Sequence, residues 1–284
     1  MKNIAKLMLV LLAGVAPAAY STTFTFTAIP DEDETKLRSR FEKVADYLET
    51  QLGVEVKYVP VKSYSAAVTA FRNNQVQLAW FGGLSGVQAR RLVPGSEAIA
   101  QGYEDQFFKS YIIAHHSTGL TQGTNFPAIG GYTFTFGSKD STSGRLMPQF
   151  FIERNLGKRP EDLFKRVGFS GDHSRTVTQV EAGVYQVGAV NYKVWDSMVE
   201  AGKVDTSKVQ VVWESPAYPD YQWTIRGDVN KTYGDDFKAK VTKVLLEMKD
   251  PDLLSSFPRQ SFVPADNEDY QPVEDVAKAI GLID

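Results

Sequence analysis

The chain contains no cysteine. That excludes a disulfide framework, a thiolate metal site and a cysteine nucleophile. It also leaves no acceptor for a lipid anchor near the N-terminus. Histidine is scarce, three in 284 residues, so nucleophile–base pairs are few. No block of Lys and Arg stands out, and the net charge is -3. Nucleic acid is thereby a poor partner, because its binding needs clustered positive charge. No Walker loop, His-Glu-x-x-His or Gly-x-Gly-x-x-Gly is present, and Gly168-Phe169-Ser170-Gly171 lacks the spacing of a serine-hydrolase elbow. No enzyme class is indicated, and no cofactor or metal is expected. The acid run Asp31-Glu32-Asp33-Glu34 reads as a solvated face at a helix start.

The one long apolar run, residues 7–15, is too short to span a bilayer, which needs roughly 20 residues. It follows Lys2 and Lys6 and precedes the small residues Ala16, Ala18 and Ala19. That order is the order of a secretory signal peptide. Residues 1–19 are therefore read as a leader, with cleavage after Ala18 or Ala19, and the mature protein is placed in a periplasm.

What is present is ample core material: 43% hydrophobic and 12% aromatic residues. Residues 23–28, 54–61, 76–81 and 111–114 read as strands. Helical spacing over residues 34–52, closed by Gly53, and over 66–73 and 84–92 fills the intervals. Residues 117–131, rich in Gly, Ser, Thr, Asn and Pro, break the pattern. A second alternating block follows to residue 213, and the tail is helical at 235–248 and 274–280. Alternation of this kind implies parallel strands with right-handed crossovers. The expected fold is α/β with two lobes facing a cleft. Lobe 1 is assigned to residues 20–116 and 223–284, and lobe 2 to 117–222.

Ligands of open α/β sheets lie beyond the carboxyl ends of strands. There the sequence is informative. After the strand ending at Phe136 come Gly137-Ser138-Lys139-Asp140-Ser141-Thr142-Ser143-Gly144 and then an apolar helix. A helix start offers outward N–H groups and a partial positive charge. Three successive hydroxyls add donors, and Gly144 permits close approach of a ligand. One such residue would be a plain N-cap. Three beside a glycine point to a phosphate-like anion.

This turn resembles the Ser-Thr-Ser-Gly turn of the phosphonate/phosphite periplasmic binding proteins, the substrate-binding subunits of ABC importers. Other pieces match that family in order: Pro30 with the helix to Gly53, Lys62-Ser63-Tyr64, Trp80-Phe81-Gly82-Gly83, and Phe169-Ser170-Gly171-Asp172-His173. The resemblance covers nearly the whole mature chain. It implies a type II periplasmic-binding-protein fold, a small oxyanion as ligand and an inner-membrane permease as partner. It also implies ligand contacts from Tyr64, Ser141, Thr142, Ser143 and His173, with Tyr103 and Asp220 as further matches. Where family members that take aminated phosphonates carry an acid, this chain has Tyr192 and Lys193, so the resemblance favours a smaller anion. The chain also looks like a branch of the family named for selenate. Selenate or sulfate is the alternative ligand, and ligand presentation to a sensor kinase or chemoreceptor is the alternative role. A monomer is expected. His115 and His116, at a strand end, are read as structural or surface residues.

Overall fold

The computed structural model describes residues 22–284. The expected leader at 1–19 lies outside the described residues. Among the described residues no helix is long and apolar enough to cross a membrane.

The opening unit forms for local reasons. Strand β1, Phe24–Ala28, is followed by helix α1, Glu34–Leu52. Asp33 caps α1, its carboxylate accepting from the N–H groups of Thr35 and Lys36, and Gly53 ends it in the left-handed region at φ 72°. Leu37, Phe41, Val44, Leu48 and Leu52 fall on one face and are buried. Strand β2 is Val56–Tyr58, helix α2 is Tyr64–Arg72, strand β3 is Leu78–Phe81, helix α3 is Gly83–Leu92 and strand β4 is Glu97–Gly102.

The chain then crosses to a second sheet. Its strands are β5 (Ser110–His115), β6 (Thr133–Phe136), β7 (Arg166–Phe169), β8 (Val187–Asn191) and β9 (Val209–Glu214). Helices α4 (Met147–Leu156), α5 (Pro160–Leu163), α6 (His173–Glu181) and α7 (Tyr192–Glu200) lie between them. The return segment adds β10 (Gln222–Ile225), three helices, β11 (Phe262–Pro264) and the C-terminal helix Gln271–Ala279. The first sheet has the order β11-β4-β10-β3-β1-β2 and the second β7-β6-β8-β5-β9.

The segment 111–114 was assigned to lobe 1, yet β5 pairs with β8 and β9 of the second sheet. Likewise Gln222, placed at the end of lobe 2, pairs with Phe81 of the first sheet. The sheets are also mixed, not parallel throughout: β5 and β10 run antiparallel to their neighbours. Each is the first strand after a crossing. It starts at the hinge and runs away from it, opposite to the strands that deliver the chain toward the cleft.

The two crossings, residues 103–109 and 215–221, lie side by side. Phe108 and Tyr218 exchange backbone hydrogen bonds of 2.9 and 3.0 Å, and the Asp220 N–H donates to the Asp105 carbonyl at 3.0 Å. Beneath them Arg259 grips Asp105 with two bonds of 2.8 Å, from Nε to Oδ2 and from Nη2 to Oδ1. Its guanidinium lies 5.4 Å from the ring centroid of Phe108 and 5.3 Å from that of Tyr221. Both partners of this pair are buried, so the two charges depend on each other for solvation.

Candidate functional site

Residues 141–146 build the floor of the site. Ser141 is the N-cap of a π-helical turn, Thr142–Leu146, that leads straight into α4. Its hydroxyl accepts from the Gly144 N–H at 2.9 Å, and its carbonyl accepts from both Arg145 and Leu146. The wide turn leaves the N–H groups at its start without intrahelical acceptors, the condition for binding an anion. Ser141, Thr142 and Ser143 are all buried. Gly144 is required: a Cβ there would stand 2.9 Å from His173 Cε1 and 3.0 Å from Ser141 Oγ.

The first lobe meets this turn at the start of α3. Thr142 Oγ1 accepts from the Leu84 N–H at 3.0 Å, and Asp220 Oδ1 accepts from the Gly83 N–H at 2.9 Å. Asp220 is 1% exposed, and its Oδ2 has no partner. Burial pushes its carboxyl up to about 7, against the pull of the Gly83 N–H and the Thr142 hydroxyl. Tyr64, at the start of α2, is also buried, and its phenol has no hydrogen-bond partner although Ser141 lies close by. One unpaired donor–acceptor and one unpaired acceptor are thus buried around three hydroxyls. Buried polar atoms without partners mark a place built for something else.

His173 faces the same turn. Its Nδ1 accepts from the Asn191 N–H at 3.2 Å, and its Nε2 lies 3.5 Å from Ser141 Oγ. Burial drives its pKa down to about 4, so the ring is neutral at pH 7. With Nδ1 accepting, the proton sits on Nε2 and points at the hydroxyl turn.

Tyr103 is the expected site residue that the structure leaves out. It sits on the first crossing, 46% exposed, with its ring edge-on to Phe107 at 6.2 Å. Its N–H donates to the Ser261 carbonyl at 2.9 Å, and it starts the short turn Tyr103–Phe107. His115 and His116 lie together at the end of β5, ring centroids 4.2 Å apart, with His116 exposed.

Some relevant residues escaped the sequence reading. Asp31 and Glu32 belong to the acid run expected to be solvated, yet they are 5% and 8% exposed. Glu32 binds Arg40 at 2.8 Å and also pairs with Lys36. Asp31 accepts from the Tyr221 phenol at 2.7 Å. Burial, reinforced by the Glu32 charge, raises its carboxyl to about 6, with Arg40 opposing. Only Asp33 and Glu34 face outward at the helix start. Pro30 preceding the run was the available signal: it places Asp31 and Glu32 in the connection between β1 and α1, not in the helix. Ser110 and Tyr218 were also missed. The Ser110 hydroxyl donates to the Ser143 carbonyl at 2.7 Å and sits 2.5 Å from the Tyr218 phenol, tying the anion turn to both crossings.

Two mixed α/β lobes, a paired hinge and a buried hydroxyl turn between them define the architecture of a periplasmic-type binding protein. The chain belongs to the family of periplasmic substrate-binding proteins of phosphonate ABC transporters, whose model matches residues 26–270. It is 36% identical over 264 residues to a protein of Prochlorococcus marinus (strain MIT 9301) described as "Probable ABC transporter phosphite binding protein PhnD1", covering 90% of this chain and 89% of that one. The structure of PhnD1 in complex with methylphosphonate superposes with a TM-score of 0.88, covering 92% of this chain and 99% of that chain. A binding-protein component of an ABC phosphonate transporter from Pseudomonas aeruginosa, 20% identical, shares the fold with a TM-score of 0.78 over 90% of this chain and 85% of its own. The protein is thus a substrate-binding subunit of the phosphonate/phosphite importer type, a role that implies a small ligand and a membrane permease.

Proposed function

We propose that this protein captures phosphite, or a phosphonate with a small substituent, as a monomer and delivers it from the periplasm to its permease without any catalytic step. The observation that carries the ligand choice is the Asp220 carboxyl, fully buried with Oδ2 unpaired beside the Ser141–Gly144 turn. The turn supplies donors to the oxyanion. Asp220 supplies an acceptor, which suits a tetrahedral anion that still carries a proton. Sulfate and selenate carry none near neutral pH. They would face a bare carboxylate in a dry site, a repulsive arrangement that rejects them. The relative's printed names, phosphite for the protein and methylphosphonate for its complex, support the same reading.

The anion enters between the lobes and meets the hydroxyl turn. Closure then brings the Leu84 N–H onto Thr142, a hinge motion about the paired crossings. Ser141, Thr142 and Ser143 donate, Tyr64 and His173 Nε2–H add donors, and Asp220 accepts a hydrogen bond from the proton the ligand carries.

Thermal unfolding against separate phosphite, methylphosphonate, aminoethylphosphonate, sulfate, selenate and phosphate tests this. At 100 times its Kd a ligand adds about 2.7 kcal/mol, or roughly 5–10 °C for a chain of this size. The expected result is a shift with phosphite or methylphosphonate and none with sulfate or selenate at pH 7.5. A shift with sulfate or selenate alone would overturn the ligand assignment.

A further inference from the structure

Beside the anion turn, four residues close a ring across the two lobes through four hydrogen bonds. The Tyr221 phenol donates to Asp31 Oδ2 at 2.7 Å and accepts from Asn191 Nδ2 at 3.1 Å. The Asn191 N–H donates to His173 Nδ1 at 3.2 Å. The His173 N–H donates back to the Asp31 carbonyl at 3.0 Å. Asp31 lies in the connection from β1 to α1 in the first lobe, and Tyr221 ends the second crossing. Asn191 and His173 belong to the second lobe. All four residues are buried. Trp80 stacks on Tyr221 at 5.6 Å, which fixes the phenol's direction.

The ring joins two otherwise separate matters. Asn191 uses its side chain across the lobe boundary and its N–H on the imidazole. The same residue therefore reads whether the lobes are closed and sets which nitrogen of His173 carries the proton. His173 Nε2 in turn faces Ser141 at 3.5 Å. We propose that Asp31, Tyr221 and Asn191 are positioning residues: together they latch the lobes shut and aim the His173 Nε2–H at the oxyanion turn, so that closure completes the site. None of the three needs to touch the ligand.

A latch of this kind acts on the share of protein in the closed state, and apparent affinity falls in proportion to that share. Tyr221→Phe removes the central hydroxyl while keeping the ring on Trp80. Asp31→Asn keeps the shape and removes the charge that the phenol serves. The affinity test rests on phosphite being a ligand, so a second measurement reads the latch without it. Phosphite binding and release are measured by calorimetry and stopped-flow Trp fluorescence on the full mature chain. Small-angle scattering gives the radius of gyration of each protein free of ligand.

Both variants should bind phosphite about 10-fold more weakly, through faster release, because a hydrogen bond to a buried charge is lost. Their Tm without ligand should move far less than that loss implies, and their ligand-free radii should exceed the wild-type value. Unchanged release rates together with unchanged radii would overturn the latch. Wild-type protein that ignores phosphite while the radii still differ would overturn the ligand reading and leave the latch standing. No binding and equal radii would overturn both.

Discussion

Asp220→Asn should exchange one ligand preference for another and stabilise the ligand-free protein at the same time. Asparagine keeps an oxygen for the Gly83 N–H, now at 2.9 Å from Oδ1, and places an N–H donor where Oδ2 has no partner. A proton-bearing oxyanion loses a hydrogen bond to a charged acceptor, about 1.5–3 kcal/mol. Phosphite affinity should therefore fall about 10- to 100-fold. Sulfate, which needs donors only, should gain measurable binding. Wild-type protein should accept sulfate only as pH falls below about 7, where Asp220 takes up a proton, and the variant should show no such dependence.

The stability effect has a definite sign. Burial raises the Asp220 carboxyl from 3.8 to about 7. The folded state therefore holds a proton that the unfolded chain has already released. Stability is lost as pH rises from about 4 to about 7 and stays lost above that. At pH 8 the variant should be more stable by roughly 2–4 kcal/mol, and at pH 4 the two should match. Urea unfolding at both values checks this. A variant that binds phosphite as wild type does, or gains nothing at pH 8, would remove Asp220 from the role assigned to it.

The largest loss of stability should come from Arg259→Met. This change leaves the Asp105 carboxylate buried without its cation, and such losses run to about 3–5 kcal/mol. The expected fall in Tm is about 10 °C. Burial already pushes Asp105 above the ordinary carboxylate range even with Arg259 pulling it down. Without Arg259 it rises further, and the folded variant can relieve the charge by binding a proton. The deficit should thus be full at pH 7.5 and smaller at pH 5. Because the Asp105 carbonyl holds the Asp220 N–H, phosphite affinity should fall as well. Equal deficits at both pH values would show that lost packing against Phe108 and Tyr221, not the stranded charge, is the cause.

Much of the architecture was legible because it is local. Helix α1 carries its own cap at Asp33, its own stop at Gly53 and an apolar stripe between them, so its limits follow from the sequence. The anion turn was legible because three hydroxyls and a glycine sit between a strand and an apolar helix. Strand β10 was not, since Gln222 and Thr224 break the apolar run although all four residues are buried. Its place between β3 and β4 is set by the hinge, a non-local matter. Asp31 and Glu32 were misread for a related reason. Acids before a helix ordinarily face water, and only their partners, Arg40 turned inward on the adjoining α1 and Tyr221 from the second crossing, show that these two do not. Tyr103 illustrates the reverse: a tyrosine in the expected order whose turn leaves it outside the cleft. Asp220 entered through family resemblance alone, and it is the Gly83 N–H and the unpaired Oδ2 that give it a physical role.

The most direct test of the site is calorimetric titration of phosphite into wild-type protein and Thr142→Ala at pH 7. Thr142 is buried at the centre of the hydroxyl turn, and its Oγ1 also receives the Leu84 N–H from the opposite lobe. The account predicts saturable one-site binding to wild type and at least about 10-fold weaker binding to the variant, with the fold of the variant intact. Equal affinity in the two proteins would contradict it and move the ligand away from this turn.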